Sequence, residues 1–64
     1  MVKTTRAGMV FIRWIGDHPP RHVHVYRNGR LILKFNQEAR VAMAGKLTSK
    51  LLTLIEELES RGRL

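Results

Sequence analysis

The C-terminal segment LTSKLLTLIEELESRG constrains this chain more than any other stretch. Its apolar residues recur at steps of three and four, which is the periodicity of one helix face: Leu47, Leu51, Leu54, Ile55 and Leu58. Thr48 or Ser49 can cap the start, and Arg61 and Gly62 suit the end. We therefore predict one amphipathic helix over residues 47–61. A single helix can cover only one face of a small sheet.

The segments before this helix are short and rich in β-branched and aromatic residues, which is typical of strands. Three of them are predicted as strands: MVFIRWI (9–15), HVHVYR (22–27) and RLILKF (30–35). Residues 36–45 favour a short edge strand, with a helical turn as the alternative, and residues 1–7 are predicted as a flexible basic arm.

These elements predict an α+β fold in one domain spanning residues 1–64. It consists of a small antiparallel sheet of three to four strands, formed by residues 9–43, with the C-terminal helix packed on one face. The other sheet face is left open or is used for association.

The turn at Asn28-Gly29 decides which way the histidines point. A two-residue loop pairs Arg27 with Arg30 and places His22 and His24 on the face of Leu33. A three-residue loop pairs Tyr26 with Arg30 and separates the faces more cleanly. Val23, Val25, Leu31, Leu33 and Phe35 then share one face, and His22, His24, Tyr26, Arg30, Ile32 and Lys34 share the other. We favour this second arrangement.

The size of the chain bears on its assembly and location. With 64 residues and no cysteine, it lacks disulfide support for a small core, so we expect a homodimer. No apolar run approaches the roughly 20 residues of a membrane span. The N-terminal MVKTTRAG is not typical of a signal peptide. We expect a cytoplasmic protein without a membrane partner.

The positive charge is concentrated in the first half of the chain. The net charge is +7; residues 1–34 hold seven Lys and Arg against one Asp, whereas residues 35–64 hold five against four Glu. A basic half beside a near-neutral half indicates a polyanionic partner, either nucleic acid or an acidic protein. A basic protein without such a partner remains the alternative.

All three histidines lie within DHPPRHVHV, residues 17–25. His22 and His24 project to the same side of a strand, where they can act as general acid and base on a phosphodiester. His18 and Asp17 can support them. The same spacing also allows a metal site, although we assign no metal and expect no cofactor. Ordinary polar residues on an exposed sheet face are the third alternative.

Binding without catalysis is also compatible with this surface. Tyr26 can stack on a base while cations contact phosphates, and the candidate contacts are Arg21, Arg27, Arg30 and Lys34. Trp14, in an apolar strand, is expected to belong to the core rather than to this surface.

The histidine segment and the later Gly45-Lys46-Leu47 resemble a small bacterial family of unknown function. Its signature is D-H-x-P-x-H-x-H on a β-hairpin, followed by G-K-L before a C-terminal helix. The matching residues here are Asp17, His18, Pro20, His22, His24, Val25, Gly45, Lys46 and Leu47. The resemblance covers about residues 9–60. It implies a partner-bound protein, because members often lie beside a small partner gene, as in toxin–antitoxin modules.

We therefore expect a small basic protein that binds or cleaves RNA, as the toxin-like component of such a module. The alternative is a protein-interaction or metal-binding module without enzymatic activity. The residues do not decide between them.

Overall fold

The computed structural model describes residues 1–14, 16 and 18–64. Its described part contains one antiparallel sheet with strands in the order of the chain, followed by one helix. The elements are β1 (Val2–Arg6), β2 (Met9–Arg13), β3 (His22–Arg27), β4 (Arg30–Asn36), β5 (Val41–Gly45) and α1 (Ser49–Ser60). The α+β class and the single C-terminal helix are as predicted. The sheet has five strands rather than three or four.

The additional strand is β1, which replaces the predicted mobile arm. It pairs antiparallel with β2 from Val2 opposite Arg13 to Arg6 opposite Met9. The turn between them is Ala7-Gly8, and both residues have positive φ, at 53° and 77°. Two consecutive positive φ values are the geometry of the tight hairpin turns that match strand twist.

The core lies between α1 and one face of the sheet, which we call the covered face. Leu51, Ile55 and Leu58 of the helix form one buried cluster with strand residues. These are Met9, Phe11, Val23, Val25, Leu33 and Phe35. Thr48 caps the helix, since its hydroxyl oxygen accepts from the Leu51 N–H at 3.1 Å. The periodicity of the Leu-rich segment therefore identified the helix and its buried side correctly.

The β3–β4 hairpin combines features of both predicted arrangements. Its loop has two residues, Asn28-Gly29, with Arg27 opposite Arg30, so the favoured three-residue loop is wrong. The register then shifts, so that Tyr26 lies opposite Leu31 but Val25 lies opposite Leu33. Such a shift is a β-bulge with one additional residue in β4, here Ile32.

The bulge restores the separation of faces that the favoured arrangement predicted. Val23, Val25, Leu33 and Phe35 are buried in the core. Three other assignments are corrected. Leu31 pairs with Tyr26 and is 46% exposed instead of buried, whereas Ile32 packs against the core. Arg30 pairs with Arg27 at the hairpin end rather than joining the histidines.

Residues between β4 and β5 form a turn that is bonded to the helix. The Asn36 side-chain oxygen accepts from the backbone N–H groups of Glu38 and Ala39. Arg40 then donates two hydrogen bonds to Glu59, at 2.9 and 3.0 Å. Its guanidinium carbon also lies 4.9 Å from the centre of the Phe35 ring. These contacts fix the edge strand β5 to the C-terminal half of α1.

Candidate functional site

Three rings stand in a column on the side of the sheet away from α1. Alternate residues of a strand project to opposite sides, so the neighbours of buried Val23 and Val25 share the other side. His22 and His24 have ring centres 5.0 Å apart and meet edge to face. The rings of His24 and Tyr26 are 6.4 Å apart and nearly parallel, at 19°. All three side chains are half-buried.

Neighbouring strands complete the surface on both sides of this column. His24 lies between Ile12 of β2 and Lys34 of β4. Tyr26 lies between Val10 and Leu31 in the same way. We call this surface the open face, defined by Val10, Ile12, His22, His24, Tyr26 and Lys34. It is therefore partly apolar, with a cation beside the central ring.

A backbone contact selects the tautomer of the neutral His22 ring. Its Nδ1 lies 2.8 Å from the carbonyl oxygen of Pro20, which follows a cis Pro19–Pro20 bond. A carbonyl oxygen can only accept, so Nδ1 carries a proton. In the neutral ring Nε2 is then the basic nitrogen, which is the form that a general base needs.

The remaining predicted catalytic residues are His18 and Asp17. His18 is exposed in the connection between β2 and β3. Asp17 lies outside the described residues. Across residues 1–14, 16 and 18–64, no group of three His, Cys, Asp or Glu side chains could hold a metal ion.

Of the predicted nucleic-acid contacts, only Tyr26 and Lys34 lie on the open face. Arg27 is two residues after Val25 in β3, so both lie on the helix side of the sheet. Arg30 lies opposite Arg27 in β4. Arg21 is two residues before Val23, which places it on the helix side as well. Its backbone N–H donates to the Glu38 carboxylate at 2.9 Å. The arginines therefore do not surround the histidines, because the strand period separates them from the ring column.

Sequence reasoning missed part of the open face and misassigned one residue. Val10 and Ile12 belong to it, and their signal was present, since MVFIR is apolar at both alternating sets of positions. Trp14, predicted as core, is 46% exposed just beyond β2.

Two glutamates of the helix are paired with polar side chains from the rest of the chain. Glu57 pairs with Arg6, and Glu59 accepts from Arg40 and Gln37. Burial alone raises the pKa of Glu59, but the hydrogen bonds from Arg40 and Gln37 outweigh it, so the pKa is lowered. Bonding to Glu59 likewise raises the pKa of Arg40. These carboxylates are engaged on the helix side, away from the open face.

No helix among the described residues is long and apolar enough to cross a membrane. No curated protein and no solved structure matches the chain significantly. A model of the family described as Domain of unknown function (DUF4160) matches residues 8–60. That match confirms the expected membership of a small uncharacterised family, whereas the predicted signature and gene pairing stay predictions. The chain belongs to the DUF4160 family.

Proposed function

We propose that the open face binds single-stranded RNA. The observation that carries the proposal is the column of His22, His24 and Tyr26 on a sheet face that the helix leaves uncovered. Sheet faces that carry aromatic side chains bind single strands by stacking bases on them. Stacking tolerates any base sequence, because every base has a flat apolar face.

The residues around the column suit the phosphates and riboses of a bound strand. Lys34 lies opposite His24, and Lys3 of β1 lies opposite Ile12 in the same cross-strand row. These ammonium groups suit phosphates on either side of a stacked base. Val10 and Leu31 offer apolar contact to bases and riboses beside Tyr26. No glutamate is paired with a residue of this face in the described strands.

The histidine pair also suits RNA cleavage, the activity that we propose for a toxin-like role. His22, with its basic Nε2, takes the proton of a 2′-hydroxyl as that oxygen attacks phosphorus. The imidazolium of His24 protonates the departing 5′-oxygen, and Lys34 stabilises the charge on phosphorus. The products are a 2′,3′-cyclic phosphate and a 5′-hydroxyl end. DNA lacks the 2′-hydroxyl and stays intact.

Fluorescence anisotropy with a labelled single-stranded RNA tests the binding proposal. We expect Tyr26→Ala to weaken binding by about 1–3 kcal/mol, the typical contribution of one stacked base. Lys34→Gln should weaken it too. Arg61→Gln is the matched control, since it removes the same charge from an exposed position after the helix. Equal losses in Lys34→Gln and Arg61→Gln would mean that only net charge matters.

The same RNA, analysed on a denaturing gel in the presence of a chelator, separates cleavage from binding. Cleavage by the wild type that His22→Ala and His24→Ala both abolish supports the toxin-like role. If the RNA is bound but stays uncut, the protein is an RNA-binding module without this activity. An absence of binding to RNA by the wild type would contradict both.

A further inference from the structure

A second surface, on the helix side of the sheet, gathers cations from separate parts of the chain. It is a cleft of about 300 Å³ between the β3–β4 hairpin end and the start of α1. Arg27, Lys46 and Lys50 line it, one each from β3, the β5–α1 connection and α1. They are far apart in sequence, so the fold brings the three together.

Within residues 1–14, 16 and 18–64, no acidic side chain is paired with these cations. No glutamate lines the cleft. Across the described chain, ion pairs join Arg6 and Arg40 to the C-terminal half of α1, and none reaches the cleft. The first turn of α1 also contains no acidic residue. Three like charges held together repel one another, and an anion in the cleft relieves that repulsion.

Apolar side chains also line the cleft, which narrows the class of anion that fits it. Met9, Ile32 and Leu51 line it together with the cations. Its volume lies at the lower end of the range of small-molecule sites, roughly 300–1,000 Å³. A bare inorganic anion leaves this apolar surface unused. A phosphate attached to a flat organic group contacts both the cations and the apolar side chains.

Gly45 explains why the cleft forms at this point. Its φ is +79°, and a Cβ there would collide with the carbonyl of Ile32 in the β4 bulge. The two backbones therefore approach closely, which places Lys46 beside the hairpin end and lets Leu47 pack against the core. The bulge and the glycine together bring the cations of separate elements to one cleft.

We propose that this cleft binds the phosphomonoester of a nucleotide, with the phosphate on Arg27, Lys46 and Lys50 and the base or ribose on Met9 and Ile32. The inference does not rest on the open face, because the two surfaces lie on opposite sides of the sheet. The phosphomonoester has two possible sources, a free nucleotide or the 5′-phosphate end of an RNA.

Titration of ¹⁵N-labelled protein with adenosine monophosphate, adenosine and inorganic phosphate tests it. We expect the monophosphate to shift the amide signals of Arg27 and Lys46–Leu51 and to bind at least about tenfold more tightly than either fragment. Lys46→Gln and Lys50→Gln should each weaken it several-fold. Lys34→Gln, which removes the same charge on the open face, should leave it unchanged. No shift with the monophosphate, or equal weakening in all three variants, would overturn the proposal.

A ribotrinucleotide with and without a 5′-phosphate identifies the source. Preference of the cleft for the phosphorylated form assigns an RNA end, whereas binding of the monophosphate alone assigns a free nucleotide. RNA binding that Tyr26→Ala weakens while the cleft signals stay unshifted by any phosphomonoester would contradict this inference and leave the proposed function intact.

Discussion

The imidazole rings of His22 and His24 meet edge to face, with centres 5.0 Å apart, on the side of the sheet opposite the helix. The strand period places both rings on this side, since residues two apart project to the same side. Their intervening neighbour, Val23, is fully buried beneath α1. The packing of the core therefore also orients the rings. Because Val23 is held in the core, its neighbours His22 and His24 are held on the opposite side of the sheet.

Gly45 is predicted to be far less replaceable than Gly8. Both have φ near +78°, at 79° and 77°, but only Gly45 has backbone atoms where a Cβ would be placed. Gly8→Ala should cost about 1 kcal/mol, the strain of a left-handed alanine. Gly45→Ala should cost about 3 kcal/mol or more, because it adds a backbone collision. Urea unfolding of the two variants measures both values, and equal losses would contradict the close approach to Ile32.

The Arg40–Glu59 and Arg6–Glu57 ion pairs should differ in coupling energy. Arg40 makes two bonds to Glu59, whereas Arg6 makes a single bond of 3.1 Å to Glu57. Paired geometry and partial burial favour a coupling of about 1 kcal/mol for Arg40–Glu59, and about 0–0.5 kcal/mol for the more exposed Arg6–Glu57. Double-mutant cycles measured by chemical unfolding give both numbers. A larger value for Arg6–Glu57 would count against this ranking.

Glu59 should make the protein sensitive to acid. Its pKa in the folded protein is below the ordinary value of 4.5, because the hydrogen bonds from Arg40 and Gln37 outweigh the opposing effect of burial. The ionised carboxylate thus contributes its full stabilisation at pH values above the ordinary pKa. This contribution is lost as the pH falls through the lowered pKa of the folded protein. Wild type should therefore lose more stability between pH 6 and pH 3 than Glu59→Gln, as measured by urea midpoints. An identical pH dependence would exclude this contribution.

Salt should reveal how many phosphates the open face contacts. Each neutralised phosphate of a single strand contributes about 0.7 to the slope of log K against log salt concentration. Lys34→Gln should lower the slope by about that amount. Tyr26→Ala should weaken binding without changing the slope, since stacking releases no counterions. A changed slope in Tyr26→Ala, or none in Lys34→Gln, would show that their roles are assigned wrongly.

Sequence reasoning found those elements whose pattern depends on one buried face. The 3.6-residue period of α1 and the alternation of β3 are set by the core, and both are read directly from residue order. β1 was missed because VKTTR contains one large apolar residue, and its pairing depends on the Ala7-Gly8 turn.

The open face was predicted in outline, and its composition was not. The histidines were assigned to the open face because Val23 and Val25 alternate with them, and this assignment is correct. The position of Arg30 could not be predicted, because the bulge at Ile32 shifts the register by one residue. A bulge results from packing between strands and has no signature in the sequence of RLILKF. The cleft was missed for a similar reason, since it combines three separate elements.

Chemical shift mapping of side chains tests most directly whether RNA binds on the open face. Labelled single-stranded RNA should shift and broaden the ring signals of His24 and Tyr26, which lie on that face. The rings of Phe11 and Phe35, fully buried on the covered face, serve as internal controls and should change little. Saturable shifts at His24 and Tyr26 are the predicted result. Unchanged His24 and Tyr26 signals at RNA concentrations that saturate binding would contradict it.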